Sequence, residues 1–171
     1  MRRLFVILML GFGLVQPLVA AAESSEDELR MKESLIALSQ GKGSVADLRI
    51  ELSDGRMAAY RSYLIANGKI VKRAWESPGS PEKHDEWTVT DDEVRKLLRE
   101  LVEKQYWTFE GTRFVPDANI FLVRFYDKNL PYVDYRCDAD EYRQSQQRSA
   151  IRSVLLDFVS GASPAEPPGT R

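Results

Sequence analysis

From Val45 onward the apolar residues of the chain recur first at a strand period and then at a helix period. Leu48, Ile50 and Leu52 alternate with Arg49 and Glu51, as in a strand with one buried face. Asp54-Gly55 reads as a turn. Met57 to Ala66, carrying Tyr60, Tyr63, Leu64 and Ile65, predicts a second strand. Asn67-Gly68 then supplies two residues that tolerate positive φ, the requirement of a type I′ hairpin turn. Ile70 to Trp75 completes a three-stranded meander. Ser77 to Glu86 (SPGSPEKHDE) holds two prolines, a glycine and mixed charge, which predicts a long irregular loop leading to Trp87.

The period changes at Thr90. Thr90-x-x-Glu93 is a capping box. Val94, Leu97, Leu98, Leu101 and Val102 form one apolar stripe, with Arg95, Lys96, Arg99, Glu100, Glu103 and Lys104 opposite. Tyr106, Trp107 and Phe109 follow this helix, and Gly111 and Pro116 mark the connection onward. Asn119 to Tyr126 predicts a strand that is apolar on both faces except at Arg124. Asp127-Lys128-Asn129 is a turn. Tyr132 to Cys137 alternates Val133, Tyr135 and Cys137 against Tyr132, Asp134 and Arg136. Asp138 or Asp140 opens a last helix whose apolar face is Tyr142, Ile151, Val154, Leu155 and Phe158, ending at Gly161. Upstream, Ser25-x-x-Glu28 followed by Leu29, Leu35, Ile36 and Leu38 gives a looser helical pattern that stops at Gly41 and Gly43.

The predicted order is α-βββ-α-ββ-α. Two antiparallel runs separated by a helix argue against a doubly wound parallel sheet. They predict an α+β fold: a single antiparallel sheet of about five strands, meander then hairpin, with two or three packed helices. Residues 45–161 form the expected globular domain. Residues 23–44 are a helical arm that either packs on it or is partly ordered. Residues 162–171, with three prolines, are an expected disordered tail.

The first residues have a different character. Arg2-Arg3 precede Leu4 to Leu18, apolar apart from Gln16, and Val19-Ala20-Ala21-Ala22 follow. A charged start, an apolar stretch and small residues at the end are the three parts of a secretory signal. Gly11, Gly13 and Pro17 interrupt a run already shorter than the roughly 20 apolar residues a spanning helix needs. Residues 1–22 are therefore expected to be a signal peptide, cleaved after Ala22 or Ala21, and the chain to be periplasmic or secreted.

Of 171 residues, removal of 22 leaves 149, about one domain. The formal net charge of −2 becomes −4 on loss of Arg2 and Arg3. Basic and acidic residues are interspersed, so no basic stripe points to nucleic acid and no polybasic cluster to a membrane surface. Cys137 is the single cysteine and His84 the single histidine, so neither an intramolecular disulfide nor a zinc site of several Cys and His ligands can be assembled. No cofactor is expected. Gly41-Lys42-Gly43-Ser44 follows no strand and reads as a helix terminator rather than a phosphate cradle.

Cys137 and His84 are the one thiol–imidazole couple available. The alternation with Val133 and Tyr135 predicts a buried, inert thiol, and the charged loop predicts an exposed imidazole. Asp91, Asp92 and Glu93 sit where a helix dipole favours negative charge, and Asp134, Asp138, Asp140 and Glu141 are assigned to the same device at the last helix. The aromatic residues make up 10% of the chain, and most belong to core packing. Tyr60, Tyr63, Trp75 and Tyr132 have polar neighbours and are candidates for an exposed sheet face. The expected binding surface joins Tyr60, Tyr63 and Trp75 to the loop residues His84 and Trp87.

The early hairpins, the helix opening Thr90-Asp91-Asp92-Glu93-Val94, Leu97-Leu98, the aromatic exit Tyr106-Trp107-Thr108-Phe109 and Asp117 before a strand pair extend over Leu48 to Phe158. In this layout the chain resembles small bacterial domains of the emfourin type, protein inhibitors of thermolysin-like metalloproteases. The resemblance implies a non-enzymatic role in binding an exported protein, a protease among the possibilities, and carries over no inhibitory residue. An exported, non-catalytic protein-binding domain is thus the expected function. A periplasmic domain binding a small ligand or envelope component in a cavity between sheet and helices is the alternative, and a hydrolase with an acidic site is the third.

Overall fold

The computed structural model describes residues 16–56, 59–75, 77, 79–109 and 119–161, with side chains from Glu26 onward apart from those of Arg56 and Ala59. Residues 1–15 of the apolar start, Met57, Pro78, Gly111, Pro116, Asp117 and the tail 162–171 lie outside the described residues.

Six strands form one antiparallel sheet: β1 (Arg49–Arg56), β2 (Ala59–Ala66), β3 (Lys69–Trp75), β4 (Lys83–Thr88), β5 (Ile120–Tyr126) and β6 (Val133–Asp138). Their order across the sheet is β4-β3-β2-β1-β5-β6. The helices are α1 (Gln16–Ser39), α2 (Asp91–Glu103), α3 (Ala139–Gln144) and α4 (Gln146–Gly161), with a 3₁₀ turn over Tyr106–Thr108. The α+β class and the single antiparallel sheet agree with the sequence reading.

The local signals act as their chemistry requires. Asn67 and Gly68 take φ of 53° and 69°, and Ala66 pairs with Lys69 across them. Thr90 Oγ1 accepts from the Glu93 amide at 3.3 Å, while a Glu93 carboxylate oxygen accepts from the Thr90 amide at 2.7 Å. At the end of α1, Gly41 with φ 80° lets its amide reach the Leu38 carbonyl and the Lys42 amide reach that of Ala37. Arg95 of α2 then donates to the Leu38 and Gly43 carbonyls, each at 2.8 Å. This side chain, placed on the polar face of α2 by its spacing, ties α2 to the end of α1. Met31, Leu35 and Leu38 of α1 belong to the same core as the sheet.

Three expectations are corrected. Asp54-Gly55 is not a turn: β1 runs through it, because Gly55 adopts φ 149°, open to glycine, and pairs with both Tyr60 and Ile120. Residues 83–86 of the expected loop belong to β4, which gives a sixth strand. Its sequence KHDEWT buries only Trp87, so no apolar alternation announces it. Ion pairs Lys69–Glu86 and Lys72–Asp85 join it to β3 instead, and a charged strand suits a sheet edge. Finally, the last helix is two. Ser145 turns extended (φ −113°, ψ 113°) and its hydroxyl accepts from the Arg148 amide, starting α4 afresh.

All helices lie on one side of the sheet. The residues facing them form rows across the strands. Trp87, Ile70, Ile65, Ile50, Phe125 and Val133 make one row, and Tyr63, Leu52, Val123 and Tyr135 belong to the next. Val94, Leu97, Leu98 and Leu101 of α2 and Ile151, Leu155 and Val159 of α4 complete this core. Among the described residues, no helix lies on the opposite, outer face.

Candidate functional site

Strand parity divides the expected binding residues between the two faces. Tyr60, Trp75 and His84 occupy outer-face positions, and Tyr63 and Trp87 face the helices with 8% and 7% exposure. The indole nitrogen of Trp87 has no acceptor among the described residues. Tyr60 and Tyr63 differ by an odd number of residues along one strand, so they cannot share a face. His84 is exposed, on edge strand β4, paired in register with Arg73.

The outer face has two aromatic–cation corners. At one, the Tyr60 and Trp75 rings meet across β2 and β3 at 5.1 Å between centroids, tilted by 40°, with Trp75 39% exposed. Arg73 and His84 lie in the adjacent row. At the other, Tyr126 and Tyr132 are 5.7 Å apart. The Arg49 guanidinium lies over Tyr126 at 4.8 Å and that of Arg124 over Tyr132 at 5.0 Å. Tyr132, 58% exposed, is the most open large aromatic side chain described. Half-buried Ser53, Ser62, Leu64, Val71 and Leu122 form the ground between the corners.

Ion pairs hold this surface in shape. Glu51 pairs with Arg49 and, at 3.5 Å, with Arg124, and it accepts from the Tyr126 hydroxyl at 3.0 Å. Asp134 takes Arg136 at 3.0 Å and Arg124 at 3.4 Å. Partial burial raises the Glu51 carboxyl. Hydrogen bonds from Arg49 and Tyr126 and the charges of Arg49 and Arg124 together outweigh it, and hold the group below its ordinary value. Asp134 is therefore a member of this sheet network, not of the helix start to which its sequence neighbours pointed. Asp138 does cap α3, accepting from the Asp140 and Glu141 amides.

The other candidates fall elsewhere. Cys137 is 1% exposed on the helix-facing side of β6, and its thiol donates weakly to Glu141 at 3.7 Å. Burial pushes the thiol up to about 12, aided by Glu141 and Asp138 and only partly opposed by Arg148. His84 sits on the opposite edge strand and the opposite face. Five strand spacings of about 4.8 Å separate them, so thiol and imidazole cannot act as a couple. The space between sheet and helices, lined by Leu101, Tyr106, Phe125 and Leu155 among others, is filled by these side chains and leaves no room for a water molecule. A shallow groove of about 340 Å³ lies instead between α2 and α4, over Leu97, Val154 and Phe158. Among the described residues there is no group of three or more metal-ligating side chains, and no helix long and apolar enough to cross a membrane.

No family model matches the sequence, and no curated protein does.

Sequence reasoning found Tyr60, Trp75 and Tyr132 but missed Arg73, Arg124, Arg136 and Tyr126 as members of one surface. The signal was present in the alternation of charged and aromatic residues against buried ones in β3, β5 and β6.

Proposed function

We propose that the chain is an exported, non-catalytic domain that binds another exported protein through the outer face of its sheet. The observation that carries this reading is the face itself, six strands wide and without a covering helix among the described residues. It presents Trp75 at one corner and Tyr132 at the other. Large aromatic side chains anchored by neighbours and left open to solvent are the groups most used as binding anchors. The charged, apolar and small-residue order of residues 1–22 supports export. The resemblance to emfourin-type domains makes an exported metalloprotease the first partner to try.

Photo-cross-linking residues placed at Trp75, at Tyr132 and, as a control, at the exposed Lys96 of α2 test this in cells that produce the full chain. The expected result is one discrete protein adduct from Trp75 and Tyr132 and none from Lys96. An adduct from Lys96 alone contradicts the proposal. N-terminal sequencing of the exported protein is expected to begin at Glu23 or Ala22, and a retained Met1 contradicts export with cleavage.

A further inference from the structure

The outer face differs in charge from the rest of the molecule. Its strand positions carry Arg49, Lys69, Arg73, Arg124 and Arg136 against the carboxylates Glu51, Glu86 and Asp134, while the whole chain has a formal net charge of −2. The one further acid at such a position, Asp138, is 6% exposed and committed to its cap.

Exposure sharpens the contrast. The side chains of Glu51 and Asp134 are 28% and 23% exposed, those of Arg49, Arg136 and Arg73 48%, 53% and 59%. Glu51 and Asp134 lie low on the sheet with the guanidinium groups of Arg49, Arg73 and Arg136 standing above them, whereas Glu86, 45% exposed beside Lys69, and Arg124, 29% exposed, do not follow this pattern. The guanidinium groups of Arg49, Arg73 and Arg136 each have five N–H donors and one carboxylate neighbour, so donors remain for an incoming carboxylate, whereas Arg124 already meets Glu51, Tyr126 and Asp134. Arg73 is the least engaged, with its Glu82 contact at 3.7 Å.

We infer that the partner presents an acidic segment, carrying Asp or Glu side chains interspersed with apolar or aromatic ones, to this face; this rests on the reading of the face as a protein-binding surface. The guanidinium groups take the carboxylates, and Tyr60–Trp75 and Tyr126–Tyr132 take the apolar side chains. A second copy of the chain does not suit, because two cationic faces repel. Nucleic acid suits less well, because Glu51, Glu86 and Asp134 interrupt the basic stripe that a phosphate backbone requires.

The test uses the mature chain and three fluorescein-labelled probes: a peptide alternating glutamate with tyrosine, one alternating lysine with tyrosine, and an oligothymidylate. Fluorescence anisotropy is expected to show binding of the glutamate peptide, weakened by added salt. Arg73→Glu with Arg136→Glu is expected to weaken it about tenfold or more. Arg73→Gln with Arg136→Gln gives a milder loss, and a melt of each variant confirms folding. Equal binding of the lysine peptide, or tighter binding of oligothymidylate, overturns the inference. If Trp75→Ala abolishes binding while both arginine pairs leave it unchanged, the face reading stands and the acidic inference falls. If Trp75→Ala and Tyr132→Ala also leave it unchanged, the face reading falls with it.

Discussion

Tyr60 and Trp75 are a cross-strand pair, the last on β2 and β3, with ring centroids 5.1 Å apart on the face of the sheet away from the helices. Fifteen positions apart in sequence, they meet because the Asn67-Gly68 turn sets the register of everything after it. A slip of one residue in β3 against β2 would send the Trp75 ring to the face opposite Tyr60. The turn therefore governs the surface as well as the fold.

That dependence makes Gly68 the first position to test. Its φ of 69° is in the left-handed region, and a Cβ there would meet the Val89 carbonyl oxygen at an ordinary 3.5 Å. The cost of Gly68→Val is thus backbone strain rather than collision, about 2 kcal/mol. For a chain this size that lowers the thermal midpoint by roughly 4–8 °C. A calorimetric midpoint equal to that of the parent would show that the turn tolerates a branched side chain.

Tyr106 is 2% exposed, packed against Phe125 and Tyr135, and its hydroxyl has no hydrogen-bond partner among the described residues. Burial, and to a lesser extent Tyr135, drives its pKa far above the ordinary tyrosine value. A buried unpaired hydroxyl costs about 1–3 kcal/mol, so Tyr106→Phe is expected to leave stability unchanged or raise it. A denaturant midpoint that falls on this substitution would mean that the hydroxyl has a stabilising partner.

Much of the fold could be read from the chain because its strongest signals are local. Asn67-Gly68, Thr90-Glu93 and the Val94–Leu101 stripe each specify their geometry within a few residues. β4 could not be read this way. Trp87 is its one buried side chain, and its ion partners lie on β3. Gly55 misled because glycine is a residue of turns, used here to carry a strand, and the break at Ser145 was hidden because the apolar residues on either side of it read as one helix face. At the candidate site, aromatic content was visible, but membership of a face required register. Tyr63 and Trp87 drop out by parity, whereas Arg73, Arg124 and Arg136 join only once the strands are paired.

Cys137 gives a pH-dependent prediction. Its folded-state value, about 12, lies above the ordinary 9.0, so the neutral thiol is the form that the fold favours. Its contribution to stability is complete below pH 9.0 and is lost as pH rises towards about 12. Cys137→Ala is expected to lower stability at neutral pH through lost packing and to flatten the decline above pH 9.0. Native protein should react slowly with thiol reagents. Labelling at the rate of unfolded chain would place the thiol at the surface and contradict the burial.

The account rests most heavily on the outer face of the sheet as the working surface. The direct measurement is the affinity of the protein captured by cross-linking, titrated calorimetrically against variants on both sides of the molecule. Trp75→Ala and Tyr132→Ala are expected to weaken binding about tenfold or more each, and Lys96→Ala on α2 to leave it within about twofold. The opposite pattern, with Lys96→Ala weakening binding and the two aromatic variants neutral, would place the partner on the helices and contradict the account.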